Sequence, residues 1–559
     1  MRRLGWVAMG LMVAAGCGDD AVSSGSESDG ATTSATTTSS TGATTTTTTS
    51  ATTGGSASAS DTGTTTSTTS TTSTTGETTT DGVTSTSTSA GETTTTGDTS
   101  TGTTDGTTTG DTTGTTGDTT GDTTGDTTGD PPDLGPYDVV DLDAGHGHVC
   151  AVFSGGEVKC WGGYNNSGDL GLGDTNAYGT APGTMGNDLP FVDLGAGGLA
   201  SAVSSYYQGC AIVEGDALKC WGQGTFGALG SGSGQNLGDE PGEMGDALPF
   251  VDLGAGRTAV AVATGVWTTC ALLDDASAKC WGWNSNGWLG QGDKDHRGDQ
   301  AGEMGDSLAP IDLGDGAEIE TIALDNSHAC ALLSTGEVKC WGQQAEGNLG
   351  NGEPGGGAIG DGPGEMGDSL APLDFGAGHT AKALSLGARH GCVILDDDQV
   401  KCWGSNTYGQ LGLGDTEHRG DAPGEMGDAL PYVDLGADRY AVAIAASYFH
   451  SCALLDDDSL KCWGRNVGGA LGQGDVDNRG DQPGELGDAL PAIDLGVGRH
   501  AIKVAPGANY ICALLDDHGV KCWGVGGSQS ALGYEDEEAR GDQPGEMGDA
   551  LPYVDLGSE

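Results

Sequence analysis

From residue 136 onward, short apolar runs alternate with polar, glycine-rich stretches, and the alternation repeats. In one unit, Ala259-Val-Ala-Val-Ala263 reads as a first strand, Thr268 to Leu273 as a second and Ala278 to Gly282 as a third. An acidic, small-residue turn separates the second from the third, which is a hairpin signal. A long polar loop follows from Gly290 to Gly305, then Pro310-Ile-Asp-Leu-Gly314 as a fourth short strand. No run in this region has helical periodicity.

The frame of the pattern is Lys-Cys-Trp-Gly, which occurs seven times, starting at Lys159, Lys219, Lys279, Lys339, Lys401, Lys461 and Lys521. The step is 60 residues, with one of 62. A fixed period of this size predicts a repeat architecture. Four short strands per unit, seven times over, predict an all-β fold, a closed seven-bladed β-propeller of four-stranded blades that leaves only protected edges. Closure requires the strand in 137–145 to lie beside the last segment, 552–557.

Each Lys-Cys-Trp-Gly has a second cysteine ten residues upstream. The pairs are Cys150 and Cys160, Cys210 and Cys220, Cys270 and Cys280, Cys330 and Cys340, Cys392 and Cys402, Cys452 and Cys462, and Cys512 and Cys522. With the turn centred on Asp275, Cys270 falls opposite Cys280. Directly opposed Cβ atoms lie about 4.5–5.5 Å apart, near the reach of a disulfide. The spacing predicts seven cross-strand disulfides. Zinc sites favour closer cysteine spacings; buried free thiols are the remaining alternative. Paired cysteines imply an oxidising compartment.

The N-terminus agrees with export. Met1-Arg2-Arg3 is a basic start, and the apolar run from Leu4 to Ala15 is too short to span a bilayer. It ends in Val13-Ala14-Ala15-Gly16-Cys17, which resembles the bacterial lipobox. That resemblance implies a signal peptide over 1–16 and lipidation of Cys17, the one cysteine outside the seven pairs. The alternative is an ordinary signal peptide cut near Ala15. Gly18 after the cysteine favours the outer membrane and cell surface.

Residues 17–135 are mostly Thr, Ser, Gly and Asp, with no Lys or Arg between Arg3 and Lys159. Such a segment buries too little apolar surface to offset its ordering entropy and is expected to be a disordered linker. Residues 18–135 would reach at most about 390 Å and average about 60 Å as a coil. Over the whole chain, 80 acidic against 21 basic residues give a formal charge of −59. This balance excludes nucleic acid, whose phosphates demand Lys and Arg. It also disfavours anionic membrane surfaces, leaving the N-terminal lipid as the membrane contact.

Gly-x-x-His-x-Cys-Ala-Leu, Val-Lys-Cys-Trp-Gly and Gly-x-Leu-Gly-x-Gly, best seen at His450–Leu454, Lys461–Gly464 and Gly469–Gly474, resemble the regulator of chromosome condensation repeat family. The resemblance covers 136–559. It implies a seven-bladed propeller of four-stranded blades, and the secreted bacterial relatives imply a protein-binding role. The cysteine pairs, the longer Gly-Glu-Met-Gly-Asp loop and the export signal depart from the eukaryotic members, so nucleotide exchange and chromatin binding are not carried over.

The repeat tryptophans recur in every unit and read as core. So does an apolar anchor in the long loop, at Met185, Met244, Met304, Met366, Met426, Leu486 and Met547. His148, His328, His390 and His450, two before the first cysteine, read as structural hydrogen-bonding groups. Arg-Gly-Asp at Arg297, Arg419, Arg479 and Arg540 reads as an Arg–carboxylate contact between blades. Asp293, Asp295 and Asp299, and likewise Asp475, Asp477 and Asp481, are the weak case for Ca²⁺; no other cofactor or metal is expected.

Units differ between strands one and two. Tyr206, Tyr207, Trp267, Arg389, Tyr448, Phe449 and Tyr510 stand there, and these loops emerge on one face. A rigid frame with variable aromatic loops suits partner binding. Asn165, Asn284, Trp288, Tyr408 and Arg465 would widen the patch. The expected role is a monomeric, lipid-anchored surface protein, not an enzyme, that binds a protein or glycan. The alternatives are a propeller lyase or hydrolase using the same face, or a structural envelope component.

Overall fold

The computed structural model describes residues 138–558. The export signal, Cys17 and the Thr-rich linker lie outside the described residues. The described residues form seven antiparallel sheets, over 139–162, 200–222, 259–282, 319–359, 381–404, 441–464 and 501–524. Strands follow chain order within each sheet, so strands that pair are consecutive in sequence.

The hairpin register matches the cysteine spacing. Cys270 pairs with Cys280, Thr268 with Gly282 and Leu272 with Ala278. All seven cysteine pairs stand opposite each other with their sulfurs bonded and Cα atoms 4.0–4.1 Å apart. The glycine after each tryptophan is left-handed, as at Gly282 (φ 109°), where a Cβ would strike the Trp267 carbonyl.

The fourth strand is a correction. The segment Pro310–Gly314 forms no strand; Ile311 N–H donates to the Ala278 carbonyl (2.8 Å) and the segment then turns away. The outer edge is completed elsewhere, by the long loop. Gly282 and Arg297 exchange two backbone hydrogen bonds, and the same bridge recurs at Gly162–Tyr178, Gly222–Leu237, Gly404–Arg419, Gly464–Arg479 and Gly524–Arg540. In the fourth sheet the bridge lengthens into a strand, Ala358–Ile359. Loops rich in left-handed glycine cannot sustain a ladder, so one bridge per unit is the rule.

The long loop is built by its own motif. Glu303 accepts from the N–H groups of Gly298 and Gln300 (both 3.0 Å), and Met304 is buried behind it. Lysine then ties units together. Lys279 Nζ donates to Leu253 O (3.0 Å) of the preceding unit and Gly305 O (2.8 Å) of its own. The tryptophan does likewise: Trp281 Nε1 reaches Ala228 O at 3.0 Å. All seven repeat tryptophans are buried, each among apolar residues of two consecutive sheets.

Neighbouring sheets touch through their first strands, and the first sheet packs against the seventh. The C-terminal segment joins the two. Val554 N–H donates to Val520 O (2.8 Å) in the last sheet, and Leu556 O accepts from Lys159 (2.8 Å) in the first. The seam also holds a partly buried pair, Lys503 with Asp141. Burial alone would lower the Lys503 pKa, but Asp141 and Asp143 together raise it.

Candidate functional site

The first-to-second turns place the candidate residues. Ser447 pairs with His450 and Gly265 with Thr268, so Tyr448-Phe449 and Val266-Trp267 are two-residue loops at one end of their sheets. Because the first strands line the inner side of the array, these loops converge. Tyr206 of the second unit hydrogen-bonds through its hydroxyl to Asn326 of the fourth. Tyr448 of the sixth lies 6.1 Å, ring to ring, from His146 of the first.

A continuous network of rings results. Tyr408 contacts Phe449 (5.2 Å), Phe449 contacts Tyr448 (5.0 Å), and His146 carries the chain on to Tyr207 (4.9 Å). Tyr207 stacks with Trp267 (6.4 Å), which meets Phe226 (5.6 Å) and Trp283 (5.5 Å). The Arg465 guanidinium lies over Tyr408 and Phe449, 5.1 and 5.3 Å from their centroids. These rings are half-buried. Burial, reinforced by Tyr164 and Tyr448, pushes the Tyr207 hydroxyl up to about 12, and burial lowers His146. Both shifts favour the neutral form of the group concerned.

Tyr510 does not belong to it. Its side chain is buried, and its hydroxyl donates to Gly145 O (3.1 Å) and His148 O (2.8 Å) across the seam. Its position in the repeat is buried in every unit, as His148, Gln208, Thr268, His328, His390 and His450 show. Arg389 is exposed at the margin and pairs with Glu346 at 3.0 Å. Asn165 and Asn284 are buried framework; the Asn284 amide, for example, ties Asp293 O to Leu289 N–H. Trp288 is buried as well, but its ring meets Trp283 edge-on at 4.4 Å and backs the network from below the surface. His146, Tyr164, Phe226, Trp283 and His296 join the network without having been singled out in the sequence. Phe226 and Trp283 lie in the loops after Trp-Gly already suspected of widening the patch; His146 was signalled by its place in the first unit's turn.

The four histidines before the first cysteine of their units are buried. His390 Nε2 bonds Ser451 Oγ (2.9 Å), and His328 Nδ1 lies 3.5 Å from Asp325. Burial pushes His148 and His450 to about 4 and His390 to about 3, so all three are neutral at pH 7. The Arg-Gly-Asp contact lies within the loop rather than between blades. Arg297 pairs with Asp293 (2.7 Å), as Arg419 does with Asp415, Arg479 with Asp475 and Arg540 with Asp536. Asp293 thus has one oxygen on Arg297 and the other on Asn284 and the Asp295 N–H, which leaves it committed before any Ca²⁺ arrives.

At the other end of the sheets, His379, Asp396 and Asp397 gather within metal-binding distance. His379 occupies the position of Arg257, Arg439 and Arg499, each of which pairs with the same two aspartates of its unit. The cluster is the repeat's ion pair with histidine in place of arginine. Large exposed hydrophobics also stand at that end: Phe191, Phe250, Tyr432 and Tyr553 each cover a buried repeat lysine at 4.7–4.9 Å.

Residues 259–287, 322–348, 381–410 and 441–470 match the description "Regulator of chromosome condensation (RCC1) repeat", and a second description of that repeat matches 397–454. The chain is 27% identical over 400 residues to the ultraviolet-B receptor UVR8 of Arabidopsis thaliana, covering 70% of this chain and 78% of that protein. It is 29% identical over 280 residues to the human E3 ubiquitin-protein ligase HERC2, half of this chain but 5% of that one. Among solved structures it resembles yeast RCC1 (Prp20), there bound to Kap60, with a TM-score of 0.50 at 18% identity over 75% of this chain and 85% of that one. Human WBSCR16 has the same TM-score and identity, over 66% and 85% of the two chains.

Proposed function

Since residues 259–470 carry regulator of chromosome condensation repeats, we propose that the chain is a binding propeller whose partner, a protein or glycan, docks on the convergent aromatic face. In this reading the seven sheets are seven blades, and the long-loop bridge stands in for each fourth strand. The observation that carries it is the ring network from Tyr408 to Trp283, built from loops that differ between units on a frame that does not. Half-buried aromatics on rigid two-residue turns give contact area at little entropic cost. Similarity to a receptor and to a protein solved with a bound partner supports binding over catalysis.

We place this face outside the cell. Seven cysteine pairs suit an oxidising compartment, and Cys17 at the end of a short apolar run suits a lipid anchor. The linker over 17–135 would hold the propeller away from the membrane.

The test is recovery of partners by the intact protein against the Trp267→Ala, Tyr448→Ala double variant. A partner retained by the first and lost by the second supports the face. Equal recovery of every partner removes it.

A further inference from the structure

Two bulky rings of the network sit where the backbone favours glycine. Trp267 has φ 53° and Phe226 φ 61°. An L-residue there crowds its Cβ against its own carbonyl. The equivalents of Phe226 in the fourth and sixth units, Glu346 at φ 55° and Gly468 at φ 62°, are left-handed too, so the conformation belongs to the turn and glycine serves it without a side chain. The Trp267 turn, by contrast, does not require this conformation. Ala388-Arg389 and Tyr448-Phe449 make the same two-residue loop without positive φ. Strain of this kind collects where a side chain is being presented.

What is presented is a cluster of ring faces. Phe226 lies 5.6 Å from Trp267 and 6.0 Å from Trp283, nearly parallel to the latter at 25°. Both indole N–H groups are engaged, Trp267 with Gln223 Oε1 and Trp283 with Ser285 Oγ, each at 2.7 Å, which fixes the rings. Elsewhere the chain seats its own cations on rings, as Lys159 on Phe191 and Arg465 on Tyr408 and Phe449. Among the described residues no such cation lies over Phe226, Trp267 or Trp283. His296 lies 4.8 Å, ring to ring, from Phe226 and accepts the Asn284 N–H through Nδ1 (3.0 Å); the other basic side chains of that loop are paired, Lys294 with Asp361 and Arg297 with Asp293. With a formal charge of −59, the molecule as a whole attracts basic partners.

We propose that Phe226, Trp267 and Trp283 form the seat for a lysine or arginine side chain of a protein partner. The inference rests on the binding reading above and narrows it. Aromatic faces attract a cation through the ring quadrupole, most strongly for tryptophan.

The experiment titrates the full chain with acetylated, amidated tetralysine at about 0.15 M salt, with tetra-alanine and maltotetraose in parallel. The variants are Trp267→Gly and Phe226→Gly, which leave the net charge unchanged, and each is also melted. The seat predicts tetralysine affinity about threefold to tenfold weaker in each variant, with a melting temperature equal to or above wild type. Unchanged tetralysine affinity in both variants overturns the proposal. Maltotetraose binding that disappears in Trp267→Gly keeps the face and overturns the cation. Lower melting temperatures with every affinity unchanged make the rings packing, and overturn both the seat and the binding face.

Discussion

Lys159 Nζ donates to the carbonyl of Leu556 at 2.8 Å, joining residues 397 positions apart. The same ammonium donates to Gly186 O at 2.8 Å, so one buried lysine holds the first unit's loop and the last unit's end together. Every repeat lysine makes this pair of contacts; at Lys159 alone does it close the array. Replacing Lys159 with Met would leave two carbonyls short of a donor, at about 1–3 kcal/mol. Lys279→Met should cost a similar amount, because its contacts are the same in kind. The two should differ in hydrogen exchange. Residues 552–557 should lose protection in Lys159→Met and keep it in Lys279→Met.

Each cystine closes a loop of ten residues in sequence separation, bridging the middle of a hairpin. Removing one pair, as Cys270→Ala with Cys280→Ala, should lower stability by about 2–3 kcal/mol in a denaturant titration. The tryptophan core and the register remain, so the variant should keep its β-sheet circular dichroism.

Acid should weaken the fold through its histidines. A histidine whose folded pKa lies below its unfolded value contributes stability at high pH that is lost as the pH falls. For His390, at about 3 because burial and the neighbouring His450 and His328 all oppose its charging, the window runs from 6.5 down to about 3. Asp169 runs the other way. Burial raises it to about 7, so it favours the fold more as it becomes protonated. Asp169→Asn should therefore gain stability at pH 8 and show no gain at pH 4. His390→Gln should shrink the drop in melting temperature between pH 7 and pH 5.

Much of this was legible in the sequence because each unit repeats its own constraints. A turn centred on Asp275 was enough to set Cys270 opposite Cys280, since a hairpin register follows from its turn. The fourth strand was misplaced because a single backbone bridge, such as Gly282 to Arg297, leaves no alternation to read. Pro310–Gly314 has the apolar residues of a strand, but they serve packing: Ile311 and Leu313 are buried between sheets. Tyr510 was misread although its six counterparts, all buried, stood in the same column. The ring network itself lay beyond the sequence. Tyr448 and His146 are brought together by closure of the array, and no local pattern reports a contact between the sixth unit and the first.

The central claim is that partners meet the convergent loops and not the opposite end of the sheets. Photo-crosslinking residues placed singly at Tyr448 and at Phe250, in the full chain on intact cells, test it most directly. Phe250 is 60% exposed, more than the half-buried Tyr448, so an absence of adduct there is not a matter of access. A discrete adduct from position 448, absent from position 250, is the predicted result. Adducts from 250 with none from 448 would contradict the account.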